Sequence, residues 1–119
     1  MKKSPLIEKS YSFAIQIVKL VYQIQNTKKE YILSKQILKS GTSIGALIAE
    51  GQYAQSNADF VNKFSIALKE ANETKFWISL LKDTDFIEIQ TYNEYSTILE
   101  EIISMLVSSI NTLKSKISK

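Results

Sequence analysis

A regular seam of apolar and small side chains in the second half of the chain constrains the fold more than any other feature. Its members recur at alternating steps of four and three residues: Phe60, Phe64, Ala67, Ala71, Thr74, Ile78 and Leu81. That spacing places the side chains along one side of an α-helix, where they can pack against other helices. The sequence therefore predicts an all-α protein in which this seam faces the core.

Four helices account for the whole chain. They are predicted from Ser4 and Pro5 to about Gln25, from about Glu30 to about Glu50, from Ser56 to about Leu81, and from beyond Glu88 to the lysine-rich end. Ser4 and Ser56 are residue types that cap helix N-termini, and Gly51 is suited to a left-handed C-cap. Short connections force neighbouring helices to run antiparallel. We expect one domain over residues 1–119, an antiparallel up-down-up-down four-helix bundle.

Composition argues against most chemistry. The chain has no cysteine and no histidine, and all 15 of its basic residues are lysine. A bundle could hold a carboxylate metal site, and Glu50, Glu70 and Glu73 are the candidates, but the histidines that usually complete such a site are missing. The chain also has no obvious pair of residues that could act as an activated nucleophile and its general base. We therefore expect no enzymatic activity, no cofactor, no metal and no small-molecule substrate.

The positive charge is concentrated near the start of the chain. Residues 1–39 contain eight Lys and two Glu, which gives +6, whereas residues 40–119 sum to −3. Four lysines of the first part are candidate phosphate contacts: Lys28, Lys29, Lys35 and Lys39. Without arginine, sequence-specific reading of base edges is not expected. No apolar run is long enough to span a membrane or to act as a signal peptide, so the expected location is the cytoplasm.

A second apolar group lies on the same helix as the seam, but at different helical angles. It consists of Ile66, Phe76, Trp77 and Leu80. The first helix is also apolar over roughly 220° of its circumference, about twice the usual core stripe. One core cannot bury all of this, so we predict a homo-oligomer with contacts through these four residues and through Phe13, Ile17 and Leu20. The alternative is that Trp77 covers the edge of its own bundle.

Two stretches resemble a known family. The run from Tyr31 to Gly51 and the run from Asp59 to Leu81 are similar to the bacterial four-helix-bundle proteins first noticed in intervening sequences of 23S ribosomal RNA genes. The residues that match the family motif include Ser43, Ile44, Gly45, Glu50, Gly51, Glu70 and Glu73.

The resemblance implies a small antiparallel bundle that assembles into a ring, with a homopentamer as the expected form. It also implies kinship in fold with the accessory variability protein of diversity-generating retroelements, which binds a reverse transcriptase and nucleic acid through a basic surface. It supplies no catalytic residue. Our primary hypothesis is a non-enzymatic, oligomeric interaction protein of unassigned cellular role. The alternative is an accessory module that binds RNA or a nucleoprotein.

Overall fold

The protein is described by a computed structural model over residues 4–117. That part of the chain forms four α-helices: α1 (Pro5–Lys28), α2 (Leu33–Gly51), α3 (Asn57–Asp83) and α4 (Ile89–Ile117). Residues 29–32, 52–56 and 84–88 connect them. The prediction of an all-α protein with four helices is confirmed.

Contacts between neighbouring helices fix their directions. Ile17 of α1 packs against Gly41 of α2, whereas the earlier Ser10 lies against the later Gly45, so α1 and α2 are antiparallel. The contacts Ser40–Thr74 and Gly51–Phe64 show the same reversal for α2 and α3. The contacts Lys75–Glu100 and Lys82–Tyr92 show it for α3 and α4. The contacts Lys9–Glu101 and Gln16–Tyr95 show it for α1 and α4. The topology is therefore an up-down-up-down bundle.

The seam on α3 faces the core, as its spacing predicts. Phe64, Ala67, Ala71, Thr74, Ile78 and Leu81 are all buried, and Phe60 is half-buried at one end. Three of the four neighbouring pairs pack with close backbones, whereas α1 and α4 approach each other over a much smaller area. Tyr95 lies in this wider gap, where its ring meets Phe13 edge-on at 6.1 Å and its hydroxyl donates to the Gln16 carbonyl at 2.9 Å.

Both predicted N-caps are present. The Ser4 hydroxyl accepts a hydrogen bond from the Leu6 amide at 3.2 Å, and the Ser56 hydroxyl accepts one from the Asp59 amide at 3.1 Å. The Asp59 carboxylate in turn accepts from the Gln55 amide at 3.3 Å. These bonds satisfy amide groups that the first turn of a helix leaves without partners, which explains why local sequence located both helix starts.

Two predictions about helix ends are wrong, the last residue of the first helix and the conformation of Gly51. The first helix does not end at Gln25 but continues to Lys28, and the reversal of the chain occurs at Lys29, which has φ 56°. Gly51 is not a left-handed cap, since no glycine among residues 4–117 has a positive φ. It is the last helical residue of α2, and a Cβ atom there would lie 2.8 Å from Cε1 of Phe64. Its small size serves helix packing, not a turn.

Glu30 lies before α2, not within it as predicted. Its carboxylate accepts hydrogen bonds from the Ile32 and Leu33 amides at 2.9 Å and from the Ser34 amide at 2.8 Å. Burial disfavours the charged form, yet the amides of Leu33, Ser34 and Ile32 together hold the pKa of Glu30 below its ordinary value. Ile32 is the N-cap residue of α2, but its side chain makes no capping hydrogen bond. The Glu30 side chain takes that role.

Candidate interaction surfaces

The polar residues of the family motif lie together on one side of the bundle, which we name the α2–α3 face. It is formed by the motif residues Ser43 and Glu50 of α2 and Glu70 and Glu73 of α3, together with Lys39 and Lys63. The Glu50 carboxylate lies 4.0 Å from Nζ of Lys63; the Glu50 side chain is largely open to solvent and the Lys63 side chain is half-buried. The pairing of α2 with α3 is what brings these two parts of the motif to the same surface.

Electrostatics on this face are mixed. Partial burial and then the neighbouring Glu73 carboxylate raise the pKa of Glu70, while Lys69 and Lys39 act in the opposite direction. Among residues 4–117, no three histidine, cysteine, aspartate or glutamate side chains are placed to hold a metal ion. The arrangement suits recognition by charge and hydrogen bonding and offers no reactive group with a matched partner.

The remaining motif residues have packing roles. Ile44 is fully buried in the core. Gly45 lies so close to α1 that a Cβ atom would be 3.2 Å from the carbonyl oxygen of Ser10, and Gly51 lies against the Phe64 ring as described above. The motif therefore combines a surface part with a part that sets the spacing of the helices.

A group of apolar side chains projects from the outer side of α3. We name it the α3 ridge; it comprises Ile66, Phe76, Trp77 and Leu80. Phe76 is 59% exposed and Ile66 is 38% exposed, whereas Trp77 and Leu80 are half-buried. The Trp77 ring packs edge-on against Phe76 at 5.0 Å, and its Nε1 is covered from solvent with no hydrogen-bond acceptor in reach within the described chain. Trp77 thus partly covers its own bundle, and Phe76 is the most exposed member.

Three residues predicted to make subunit contacts are in the core. Phe13 and Ile17 are fully buried and Leu20 is 4% exposed, so they are not available to a partner and this part of the prediction is wrong. The first helix is apolar over so much of its circumference that the sequence alone does not show which side faces inward.

The apolar surface of α1 is formed by other residues. Tyr11 is 68% exposed, Ile15 is 42% exposed and Tyr22 is 63% exposed, with the half-buried Val18 between them. Together with Leu38, Thr42 and Ala49 of the adjacent α2, they form what we name the α1–α2 face. Sequence reasoning missed this surface. The steps of four, three and four from Tyr11 to Tyr22 are the signal that could have found it.

The four predicted phosphate contacts lie on α1, on the connection that follows it and on α2. Lys28 borders an open cleft of about 810 Å³ at one end of the bundle, whose wall also contains Lys82, Asp85 and Glu88. Lys29 lies in the adjacent connection. Lys35 and Lys39 occupy successive turns on the outer side of α2, and Lys39 acts electrostatically on Glu70.

Comparison with known proteins agrees with the resemblance found in the sequence. Residues 2–108 match the family described as 23S rRNA-intervening sequence protein. The chain belongs to this family. A crystal structure of a family relative from Bacteroides thetaiotaomicron, a protein of unknown function assigned to the S23 ribosomal protein family, superposes with a TM-score of 0.87. The two chains are 50% identical, and the match covers 88% of this chain and 97% of the other.

Membership of the 23S rRNA-intervening sequence protein family fixes the fold but assigns no activity, and no curated protein matches this chain. Within residues 4–117, none of the helices is both long and apolar enough to cross a membrane. Function must therefore be inferred from the surfaces that the bundle presents.

Proposed function

We propose that the protein is a non-enzymatic interaction protein that acts as a homo-oligomer. The supporting observation is the number of large apolar side chains that one bundle leaves in water, above all Phe76 on the α3 ridge and Tyr11 and Tyr22 on the α1–α2 face. Contiguous exposed apolar surface is uncommon on monomeric proteins, and aromatic side chains are enriched among residues that dominate interface energies. Association of copies through these surfaces would remove their apolar side chains from water.

Light scattering during size-exclusion chromatography tests this proposal. The purified protein should elute with a mass several times its 13.5 kDa monomer mass. Phe76→Ser should shift the population towards monomers, because truncation of a central interface aromatic weakens association by about 2 kcal/mol or more. Val107→Ser is the matched control, since Val107 is 40% exposed on α4, outside both surfaces. A wild-type protein that is monomeric at high micromolar concentration would refute self-association.

Binding of RNA or a nucleoprotein is the second proposal, and it has weaker support. Its basis is the exposed pair Lys35 and Lys39 on α2 together with Lys28 and Lys29 at the adjacent end. The acidic groups near Lys28 and Lys39 reduce the attraction that these lysines could exert on phosphates. Affinity that comes from lysine–phosphate contacts falls steeply with salt.

A titration with structured RNA at about 50 mM and about 200 mM salt tests the second proposal. Binding should weaken strongly over that range, and a Lys28→Ala, Lys29→Ala double variant should reduce the salt dependence, because each lost phosphate contact lowers the slope by about one. Lys116→Ala at the opposite end of the bundle is the control. No binding at the lower salt concentration, or a curve that the double variant leaves unchanged, would count against RNA as a partner.

A further inference from the structure

We propose that the cleft at the end of α1 binds a small zwitterionic molecule with an apolar body, of which a free apolar amino acid is the simplest example. The cleft has a volume of about 810 Å³. That value lies within the range of about 300–1,000 Å³ that is usual for small-molecule sites. The cleft lies outside the surfaces to which self-association is assigned above, so the two proposals can fail separately.

Two segments of the chain form the walls of the cleft. One is the last part of α1, and the other is the connection from α3 to α4 with the first turn of α4. Backbone hydrogen bonds hold this connection, from the Asp85 amide to the Lys82 carbonyl at 3.1 Å and from the Phe86 amide to the Leu81 carbonyl at 2.9 Å. The cleft therefore has fixed walls before a ligand enters, as is usual for small-molecule sites.

The inner part of the cleft is apolar. It is bordered by Leu20 and Ile24 of α1 and by Ile87 of the connection, which belong to the core, and by the half-buried Phe86. An apolar group of a ligand would leave water when it packs on these side chains, and that transfer favours binding.

The outer part of the cleft carries both signs of charge. Lys28 and Lys82 border it together with Asp85 and Glu88. Nζ of Lys82 lies 4.0 Å from the centre of the Tyr92 ring, whereas Lys28 has no carboxylate within 4.0 Å in the described part of the chain. Opposite charges that border one cleft without neutralising each other are complementary to a ligand that carries both signs.

This charge pattern disfavours other classes of ligand. Asp85 and Glu88 would repel a phosphate group, and the two lysines would repel a ligand that carries only positive charge. An uncharged apolar molecule would displace water from the charged groups without replacing its hydrogen bonds. An α-amino acid offers a carboxylate to Lys28, an ammonium group to Asp85 or Glu88, and an apolar side chain to the inner part of the cleft.

Saturation-transfer NMR on the full chain with four probe molecules tests this proposal. Phenylalanine should bind with a dissociation constant of about 1 mM, which is typical for a ligand of its size. Phenylpropionate lacks the ammonium group and phenylalaninamide lacks the carboxylate, so each should bind about two- to fivefold more weakly, the usual range for one exposed ion pair. Glycine has no apolar side chain and should give no measurable transfer at the same concentration.

Substitutions on the two walls locate the site. Lys28→Gln should weaken the binding of phenylalanine and phenylpropionate about two- to fivefold and should not weaken that of phenylalaninamide. The double variant Asp85→Asn, Glu88→Gln should weaken the binding of phenylalanine and phenylalaninamide and should not weaken that of phenylpropionate. Lys35→Gln and Glu94→Gln are the matched controls, because both residues are exposed and neither borders the cleft.

Three results would overturn the proposal. They are no transfer to phenylalanine at several times the expected dissociation constant, equal binding of the three aromatic probes, and phenylalanine binding that the substitutions in the cleft leave unchanged. None of them bears on self-association, which light scattering measures independently.

Discussion

Gly41 decides how closely α1 and α2 approach each other. A Cβ atom at this position would lie 2.9, 3.0 and 3.2 Å from three side-chain carbons of Ile17, which is fully buried. A helix interior normally loses stability when it contains glycine, by about 1 kcal/mol relative to alanine. Here the contact with Ile17 explains why glycine is nonetheless present.

Gly41→Ala should therefore lower the free energy of unfolding, by on the order of 1 kcal/mol, because overpacking of about 1–3 kcal/mol outweighs the gain in helix propensity. Urea unfolding monitored by circular dichroism measures the change. In an Ile17→Ala background the same substitution should cost less, since all three contacting side-chain carbons are absent. A single variant more stable than the wild type would contradict this description of the contact.

Glu30 makes the start of α2 sensitive to acid. Its carboxylate accepts hydrogen bonds from three amides, which hold its pKa below the ordinary value despite partial burial. A carboxyl group whose pKa is lower in the folded than in the unfolded state stabilises the fold above its unfolded pKa, and the benefit disappears as the pH falls through the folded pKa. The stabilisation is thus complete at neutral pH and is lost in acid.

Glu30→Gln should reduce the free energy of unfolding at pH 7 by about 1 kcal/mol, the usual effect of weakening an N-terminal cap. The difference from the wild type should shrink as the pH is lowered below the ordinary glutamate value, because both proteins then have a neutral side chain at this position. Glu94→Gln, on the exposed first turns of α4, is the control. A difference that stays constant down to pH 3 would show that the charge of Glu30 does not matter.

Among the helices, α1 and α4 form the loosest neighbouring pair. Their backbones approach over a small area, and the space between them is bridged by the Tyr95 side chain, whose ring contacts Phe13 and whose hydroxyl bonds to the Gln16 carbonyl. Burial, and to a smaller extent Glu94, raises the pKa of Tyr95, so the hydroxyl stays protonated as a donor. An aromatic side chain thus takes the place of close backbone packing.

Tyr95→Phe should lower the free energy of unfolding by about 1 kcal/mol, since it removes one partly buried hydrogen bond and keeps the ring. Hydrogen exchange should show the loss locally, with faster exchange in the middle of α1 and α4 than in α2 and α3. Tyr22→Phe serves as the control because the Tyr22 side chain is largely exposed. Equal effects of the two substitutions would contradict a bridging role for Tyr95.

At the scale of the whole molecule, the elongated bundle measures 51 × 24 × 23 Å, and its surfaces differ in character. The α2–α3 face carries both signs of charge and the α1–α2 face is largely apolar, whereas the α3 ridge shares its stripe of the helix with Glu70 and Glu73. Burial of apolar surface between copies would stabilise the folded state by mass action, in addition to the stability of each bundle.

The thermal unfolding midpoint should therefore rise with protein concentration. Binding that involves only the folded state stabilises it, by about 2.7 kcal/mol at a hundredfold excess over the dissociation constant. Calorimetry over a hundredfold range of concentration measures the effect, and Phe76→Ser should reduce the dependence. A midpoint that is independent of concentration in the wild type would argue against assembly through these surfaces.

Local patterns in the sequence located much of the fold. The α3 seam faces inward, and Ser4 and Ser56 begin helices, because each depends on residues within one or two turns of the same helix. The family resemblance was likewise readable in the chain, and family comparison confirmed it. The α3 ridge could also be predicted from the sequence, because its residues lie on the same helix as the seam but at other helical angles.

Only the tertiary structure decided which side of α1 is buried. That helix is apolar around much of its circumference, so periodicity allows more than one inward side, and packing against α2 and α4 selected the side with Phe13, Ile17 and Leu20. Packing between helices also explains why Gly51 contacts the Phe64 ring and does not form a turn. It also places Lys28 in the same cleft as Asp85 and Glu88, and Lys39 near Glu70. The sequence by itself determined the helices and their family, because those depend on neighbours along the chain. The exposed surfaces depend on neighbours across the bundle, which no local pattern contains.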